Sequence, residues 1–296
     1  MQATEHMVTE GGAVIYNPTS GRGQGAILQK QAQERLGSAF EFIPTRKAGD
    51  ARALAAEAAK THKVVAALGG DGTVGDVARG IYGTDAVLGI LPTGTGNDFA
   101  RNLGLKLDLN EACATLLGGV TRRVDVGLIN DTPFINNCGT GFDAQVMHTM
   151  NTSIRFTRGP AAFNLAIMKT LATYKPFALT LEADGQELMN EKAYMVSVLN
   201  GPVYAAGMMA APQAEMDDGL MDVMVIRALP KAQLVSLIVK VRAGTHTDHP
   251  AIRLFQTRKL TIKTIPPQPL NIDGDLSGLT PATITVQSRA LRVLVR

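Results

Sequence analysis

The chain of 296 residues has little of what marks membrane-spanning, disulfide-rich and nucleic-acid-binding proteins. No apolar run approaches the roughly 18 residues that a membrane-spanning helix needs. The two cysteines, Cys113 and Cys138, stand in no metal-binding spacing and imply no disulfide framework. Tryptophan is missing and aromatic residues make up 5% of the chain, none alternating with basic residues, so no nucleic-acid partner is expected. What remains has the composition of a globular protein with an ample core.

Two common phosphate-binding signatures are also missing. There is no GxxxxGK[ST] and no GxGxxG, since GRGQG at 21–25 has the wrong spacing. The chain carries instead two glycine-rich loops, LGGDGTVGD at 68–76 and LPTGTGNDFA at 91–100, each with an aspartate and each continuing an apolar run. Glycine lets the backbone approach a ligand, and a helix N-terminus offers N–H groups to phosphate oxygens. Asp71 would repel phosphate unless it binds a metal or accepts a proton from a donor. The loops therefore predict a phosphate-handling site.

Alternating strand and helix patterns fill the first third of the chain. Apolar runs predict strands at 12–18, 40–45, 63–70 and 86–94. Helical spacing predicts helices at 26–37, 49–62, 73–83, 97–104 and 109–119. This order predicts a parallel sheet with helices on both faces, whose ligands bind at the carboxyl ends of the strands. Both glycine-rich loops fall at such ends.

From about residue 122 the pattern changes to strand-like segments, several of them joined by tight turns. It predicts a mainly antiparallel β-sandwich, with helices only at 160–175 and 230–243. We therefore predict an α/β domain over 1–128 and a β-sandwich domain over 129–296, whose last strand is a candidate to return to the first domain.

Taken in order along the chain, the motifs resemble the diacylglycerol kinase catalytic-domain family, in particular the YegS-like bacterial lipid kinases, which are related to sphingosine and ceramide kinases. The resemblance covers the whole length and rests on eight segments: NPTSG (17–21), Thr45 with GDA (49–51), LGGDGT (68–73), GTGND (94–98), NNCGTGFDAQV (136–146), NGPVYAAG (200–207), PQAEMDDGLMDV (212–223) and NIDGD (271–275). It implies an NAD-kinase or phosphofructokinase-like fold for the nucleotide-binding first domain and a lipid-binding role for the β-sandwich.

The resemblance also implies which residues bind ATP. They lie after the predicted strands and comprise Asn17, Thr45, Gly69, Gly70, Asp71, Gly72, Thr73, Val74, Gly75 and Thr95. Phosphoryl transfer needs positioning and neutralisation of phosphate charge. Because the chain has no P-loop lysine, Mg²⁺, backbone amides and Arg22 would have to neutralise the phosphate charge. An arginine in such a loop is, however, more often a solvated residue.

Two aspartates take catalytic roles by resemblance. Asp275 occupies the position of the base that deprotonates the acceptor hydroxyl. Relatives carry glutamate there, so the shorter aspartate puts reach in doubt and leaves the chemistry intact. Asp71 would organise the catalytic Mg²⁺ or a bridging water. Asp143, in GTGFDA, is a candidate for closing the cleft between the domains and equally for a helix N-cap.

A second, structural Mg²⁺ is implied at the DDG turn. Its ligands would be the Asp218 carboxylate and the backbone carbonyls of Glu215 and Leu220. This is an oxygen set that Mg²⁺ accepts while keeping some waters. By local sequence alone, Asp217-Asp218-Gly219 is as typical of a hairpin turn.

These features favour an ATP-dependent lipid kinase that phosphorylates a hydroxyl of diacylglycerol or a related lipid. We expect it to be cytoplasmic and peripheral to the membrane, since the first 12 residues are polar, carry two acids and do not fit a secretory signal. Residues 227–263 hold eight basic residues and one acid, which indicates either attraction to anionic headgroups or an ordinary solvated surface. The exposed sheet edges of such a fold would allow a homodimer.

The sequence is also compatible with two alternatives. NAD kinases also carry GGDGT, so a kinase with a soluble acceptor is one alternative, although the second NAD-kinase signature is missing. The other is an inactive lipid-binding regulatory protein, which the replacement of glutamate by Asp275 keeps in consideration.

Overall fold

The computed structural model describes residues 5–6, 11–19, 25–47, 49–153 and 160–296. The chain divides into two compact units. The first comprises Met1–Val126 with Ser288–Arg296, and the second comprises Gly127–Gln287. The assignment of nucleotide binding to one and lipid binding to the other stays a prediction.

The first unit is an α/β structure. Its strands are β1 (Glu5–His6), β2 (Gly12–Tyr16), β3 (Phe40–Pro44), β4 (Val64–Gly69), β5 (Val87–Pro92), β6 (Val120–Ile129, which continues into the second unit) and the end of β18 (Ala282–Val295). Its helices are α1 (Gly25–Leu36), a 3₁₀ turn (Gly37–Ala39), α2 (Asp50–Ala58), α3 (Asp71–Ile81), α4 (Asp98–Asn102) and α5 (Leu109–Gly118). Five strands pair in parallel in the order β3–β2–β4–β5–β18, and β1 pairs antiparallel with β6.

This sheet is buried on both faces, as continuous apolar strands such as VVAALG and VLGILP require. On one face Val14, Ala66 and Leu91 pack with residues of α1 and α5 in one core cluster. Side chains alternate along a strand, so Ile15 and Ala67, which are also fully buried, point to the other face. Helices α2 and α3 contact the strands there and pack on each other. The predicted α/β fold class is confirmed.

The second unit is rich in antiparallel strands. They are β7 (Thr132–Phe134), β8 (Asn137–Gly141), β9 (Phe177–Ala183), β10 (Gln186–Leu199), β11 (Val203–Tyr204), β12 (Met208–Met209), β13 (Met221–Arg227), β14 (Ile252–Thr257), β15 (Lys259–Ile265), β16 (Pro269–Ile272), β17 (Asp275–Leu279) and the first part of β18. Its helices are α6 (Phe142–Ser153), α7 (Pro160–Thr173) and α8 (Lys231–Ala243). Strand β10 pairs with β8 and β9 along one edge and with β13 along the other, always antiparallel.

This unit has two hydrophobic cores, one on each face of β10, and successive residues of the strand point alternately into one core and the other. Val196 and Val198 of β10 face an all-strand core with Val223 and Leu179. Met195 and Leu199, on the opposite face of β10, belong to a second cluster with residues of α6, α7 and α8. The antiparallel β prediction is confirmed, but the prediction of only two helices here was wrong because α6 is a third. In the part of the chain that the structure describes, no helix is long and apolar enough to cross a membrane.

Candidate active site

The predicted ATP-binding residues of the first unit follow four neighbouring strands at one edge of the parallel sheet. Asn17 follows β2, Thr45 follows β3, and Thr95 lies in the loop after β5. The Thr45 N–H donates to the carbonyl of Tyr16 at 2.9 Å and so extends the β2–β3 pairing. The Asn17 side-chain oxygen accepts from the N–H of Thr19 at 2.9 Å, which fixes a turn at the end of β2.

The two glycine-rich loops touch each other through their backbones. A Cβ built on Gly94 would lie 2.5 Å from the Cα of Gly70, so no side chain fits between the loops. The N–H of Thr93 also donates to the carbonyl of Gly69 at 2.9 Å. Asn97 closes its own loop by accepting from the Gly94 N–H and donating to the Gly94 carbonyl, both at 2.9 Å. The structure therefore brings together the two loops that the sequence singled out.

Asp71 is the first residue of α3 and connects the two loops. Its carboxylate accepts from the N–H of Phe99, in α4, at 3.3 Å. A carboxylate in the first turn of a helix is stabilised by the positive end of the helix dipole. Asp71 is half-buried, whereas Gly72 and Thr95 beside it are exposed. This arrangement presents backbone N–H groups and one carboxylate at the carboxyl ends of the strands.

A partly buried ion pair follows this loop in α3, and it was not predicted from the sequence. The Arg79 guanidinium contacts the Asp76 carboxylate at 3.0 Å, and the Arg79 side chain is 8% exposed. A Cβ on Gly75 would lie 3.5 Å from that guanidinium. The i, i+3 spacing was the only sequence signal for the pair.

In the second unit, Asp275 follows a tight hairpin turn between β16 and β17. Asp273 and Gly274 form the turn with positive φ angles of 49° and 96°. The Asp273 carboxylate accepts from three consecutive N–H groups, those of Ile135 at 3.1 Å, Asn136 at 2.9 Å and Asn137 at 3.1 Å. Asp275 itself is exposed. The first aspartate of the DGD string is therefore structural and the second projects from a fixed turn.

Asp143 lies in the first turn of α6 and is half-buried. Its carboxylate accepts from the N–H of Ala144 at 2.8 Å and from the side-chain amide of Asn271 at 3.2 Å. Burial raises the pKa of Asp143 to about 6, against the lowering effect of those hydrogen bonds. Sequence reasoning named Asp143 but had no signal for its partner Asn271.

The candidate Mg²⁺ ligands lie in a cluster of carboxylates before and within β13. The Asp218 carboxylate accepts from the Leu220 N–H at 2.9 Å and from the Gln256 amide at 3.2 Å. Burial raises the pKa of the neighbouring Asp222, and the negative charges of Asp218 and Glu215 raise it further.

Such concentrated negative charge fits a bound cation. Within the described ranges, no group of three or more His, Cys, Asp or Glu side chains is placed to hold a metal. The predicted Mg²⁺ ligands are one carboxylate and two backbone carbonyls, so this site does not need a group of three such side chains.

The predicted site residues thus fall in two sets. Asp71 and the ATP residues belong to the first unit, whereas Asp275 and the Mg²⁺ candidates belong to the second. Ser20, Gly21 and Arg22 lie outside the described residues. A shared cleft between the sets stays a prediction.

Two family models match nearly the whole chain. The diacylglycerol kinase catalytic domain matches residues 12–129, and the YegS C-terminal NAD kinase beta sandwich-like domain matches residues 136–295. The diacylglycerol kinase of Bacillus subtilis (strain 168) is 30% identical over 291 residues, which cover 95% of this chain and 95% of that protein. The chain belongs to the diacylglycerol kinase family. It is therefore a lipid kinase.

A further relative supports the family, and two solved structures support the fold. The diacylglycerol kinase of Staphylococcus carnosus (strain TM300) is 29% identical over 91% of this chain and 90% of its own length. A crystal structure of a diacylglycerol kinase from Bacillus anthracis str. Sterne superposes with a TM-score of 0.75 over 98% of both chains, at 22% identity. An NAD kinase from Archaeoglobus fulgidus in complex with ATP superposes with a TM-score of 0.51 over 96% of this chain and 92% of its own, at 14% identity. The predicted likeness to the NAD-kinase fold is confirmed.

Proposed function

We propose that this kinase transfers the γ-phosphate of ATP to a hydroxyl of diacylglycerol or a closely related lipid. The observation that carries the proposal is the backbone contact of Gly70 with Gly94, joined by the hydrogen bond from Phe99 to Asp71. It gathers a helix N-terminus, exposed glycine backbone and a carboxylate at the sheet edge where Asn17 and Thr45 also lie. Phosphoryl transfer requires this combination of positioning and charge.

On the nucleotide side, the first-unit loops hold the phosphates. The N–H groups at the start of α3 donate to phosphate oxygens, and the close approach needs the glycines at 69, 70 and 72. Asp71 is the residue that would hold the catalytic Mg²⁺ or a water of its shell. Bound Mg²⁺ would neutralise charge on the transferring group.

On the acceptor side, Asp275 accepts the proton of the attacking lipid hydroxyl. It is exposed at the start of β17 and projects from a turn whose backbone is held by the Asp273 carboxylate. The structural Mg²⁺ would bind Asp218 together with the carbonyls of Glu215 and Leu220. There it would offset the repulsion of Asp218 and Glu215 on Asp222, which adds to the effect of burial in raising the pKa of Asp222.

A surface of α7 and α8 supports peripheral membrane binding. The two helices are joined by a hydrogen bond from the Lys231 ammonium to the Ala172 carbonyl at 2.7 Å. Their exposed apolar side chains are Leu165, Met168, Val235 and Val239, and the last turn of α8 carries Lys240 and Arg242. Apolar side chains beside basic ones suit an interface with anionic lipid. A cytoplasmic location and a homodimer stay predictions.

The test is transfer from ATP radiolabelled in the γ-phosphate. The purified protein is incubated with diacylglycerol, sphingosine and ceramide in mixed micelles, and separately with NAD, with and without Mg²⁺. We expect Mg²⁺-dependent label in the diacylglycerol fraction. Label appearing only in NADP would contradict the proposal.

Variants identify the proposed base in the same assay. Asp275→Asn keeps the size of the side chain but removes its basicity, and we expect kcat to fall roughly 100-fold to 10,000-fold. Asp131→Asn is the matched control, since Asp131 is another exposed aspartate at a positive-φ turn of the second unit. Full activity in Asp275→Asn would remove the assigned role.

A further inference from the structure

The turn that carries Asp275 is held on two sides. On one side the Asp273 carboxylate accepts the three N–H groups of residues 135–137, and the Asp273 N–H donates to the Asn137 carbonyl at 2.8 Å. On the other side the N–H of Gly274 donates to the side-chain oxygen of Asn271 at 3.0 Å. The residue directly before Asp275 is therefore fixed by a side chain whose own orientation matters.

Asp143 sets the orientation of Asn271. The amide nitrogen of Asn271 donates to the Asp143 carboxylate at 3.2 Å, while its oxygen faces the Gly274 N–H. An ionised carboxylate can only accept hydrogen bonds, so it selects the amide nitrogen. A neutral group at position 143 can also donate, and Asn271 could then turn over and present its nitrogen to the Gly274 N–H. Donor would face donor, and that side of the turn would be released.

We propose that Asp143 is a positioning residue, which acts through Asn271 and the Gly274 N–H to fix the turn from which Asp275 projects. The inference rests on the proposed role of Asp275. Reach is critical here because an aspartate carboxylate is joined to the backbone by a single methylene. A displacement of about 1 Å at a reacting group can lower the rate roughly 100-fold.

The surroundings of Asp143 disfavour its charge. Burial raises its pKa to about 6. Its charge acts on two ionisable groups, Cys138 of β8 and Tyr174 after α7, and the charge of Asp273 of the turn also acts on Cys138. Burial raises the pKa of Cys138 and of Tyr174, and the charge of Asp143 raises both further. A carboxylate kept in such a place lowers stability, and groups of this kind cluster at functional sites.

The test is a charge swap. Asp143→Asn alone should lower kcat roughly tenfold to 100-fold and leave KM for ATP unchanged, since the ATP residues belong to the other unit. In Asp143→Asn/Asn271→Asp, the new amide at 143 donates to the new carboxylate at 271, whose other oxygen accepts from Gly274. We expect the double variant to recover most of the lost kcat. Unchanged kcat in Asp143→Asn, or no recovery in a folded double variant, would overturn the proposal.

Hydrogen exchange at the Gly274 amide tests the same clamp without activity. Exchange should be faster in Asp143→Asn than in the parent and slow again in the double variant. Equal rates in all three would contradict the clamp. If Asp275→Asn keeps full activity while Gly274 exchange follows the swap, the assignment of Asp275 as the base fails and the clamp stands.

Discussion

At the scale of single residues, Asp71 and Asp275 both follow a glycine but lie in different environments. Asp71 accepts a hydrogen bond from Phe99 at 3.3 Å, so it has a structural contact as well as a proposed metal or water contact. Asp71→Asn keeps an oxygen for Phe99 and removes the charge. We expect it to lower activity roughly 10-fold to 100-fold, as for lost groups around a metal, with thermal stability retained. Asp71→Ala removes the oxygen as well as the charge, so it should lower both activity and thermal stability. Calorimetry measures the stability and the kinase assay measures the activity.

Asp143 gives a prediction on stability. Its pKa is raised from the ordinary value of 3.8 to about 6, so the folded protein holds this proton more tightly than the unfolded chain. Stability from this group is present below pH 4 and is lost as the pH rises through about 6. The stability of Asp143→Asn relative to the parent should therefore rise by about 3 kcal/mol between pH 4 and pH 8. Urea unfolding at both pH values measures it, and a pH-independent difference would contradict the assignment.

At the scale of elements, the contact between the two glycine-rich loops can be broken by a single methyl group. A Cβ on Gly94 would also lie 2.8 Å from the Asn97 side-chain oxygen, so the backbone must shift. We expect Gly94→Ala to destabilise the fold by about 1–3 kcal/mol and to raise KM for ATP. Gly118→Ala, at the end of α5 with open space around the new Cβ, is the control and should leave both unchanged. Equal KM values for the two variants would contradict the proposed role of the contact.

The strands of the first unit were predictable because apolar runs such as 64–69 end at glycine. The contact between its two glycine-rich loops was predictable because the carboxyl ends of parallel strands lie at the same end of a sheet. Helix α3 was predicted to begin at Thr73 but begins at Asp71, since Asp-Gly is typical of turns yet an acid also suits a first helical turn. Helix α6 was missed because it follows a glycine-rich strand and ends in two threonines, an asparagine and a serine among its last five residues.

Parts of the candidate site were beyond sequence reasoning. Asp273 and Ile135 are 138 positions apart, and no local pattern connects an aspartate in a turn with N–H groups that distant. Asn271 reads as an ordinary polar strand residue until its two partners are known. Such contacts arise from strand pairing in three dimensions, which periodicity does not specify.

At the scale of the whole molecule, the α7–α8 surface predicts how the kinase reaches its lipid. Lys240→Glu/Arg242→Glu should weaken binding to phosphatidylglycerol vesicles more than binding to phosphatidylcholine vesicles, by about 1 kcal/mol per lost cation. Lys60→Glu is the control, because Lys60 is an exposed lysine in the other unit. Vesicle co-sedimentation at low and high salt measures the effect. Equal loss on both lipids would contradict an electrostatic contribution.

The sheet of the first unit is not made from one continuous stretch of chain. Its fifth strand is the end of β18, where Arg292 lies opposite Val87 and Leu294 enters the core of that unit. A ribosome releases the N-terminal residues first, and domains generally fold in that order. Here the sheet stays one strand short until the whole second unit has been made. A truncated translation product therefore lacks the strand that pairs with β5, and β5 itself leads into one of the two glycine-rich loops. Such a product should bind ATP poorly and should be degraded early by proteases.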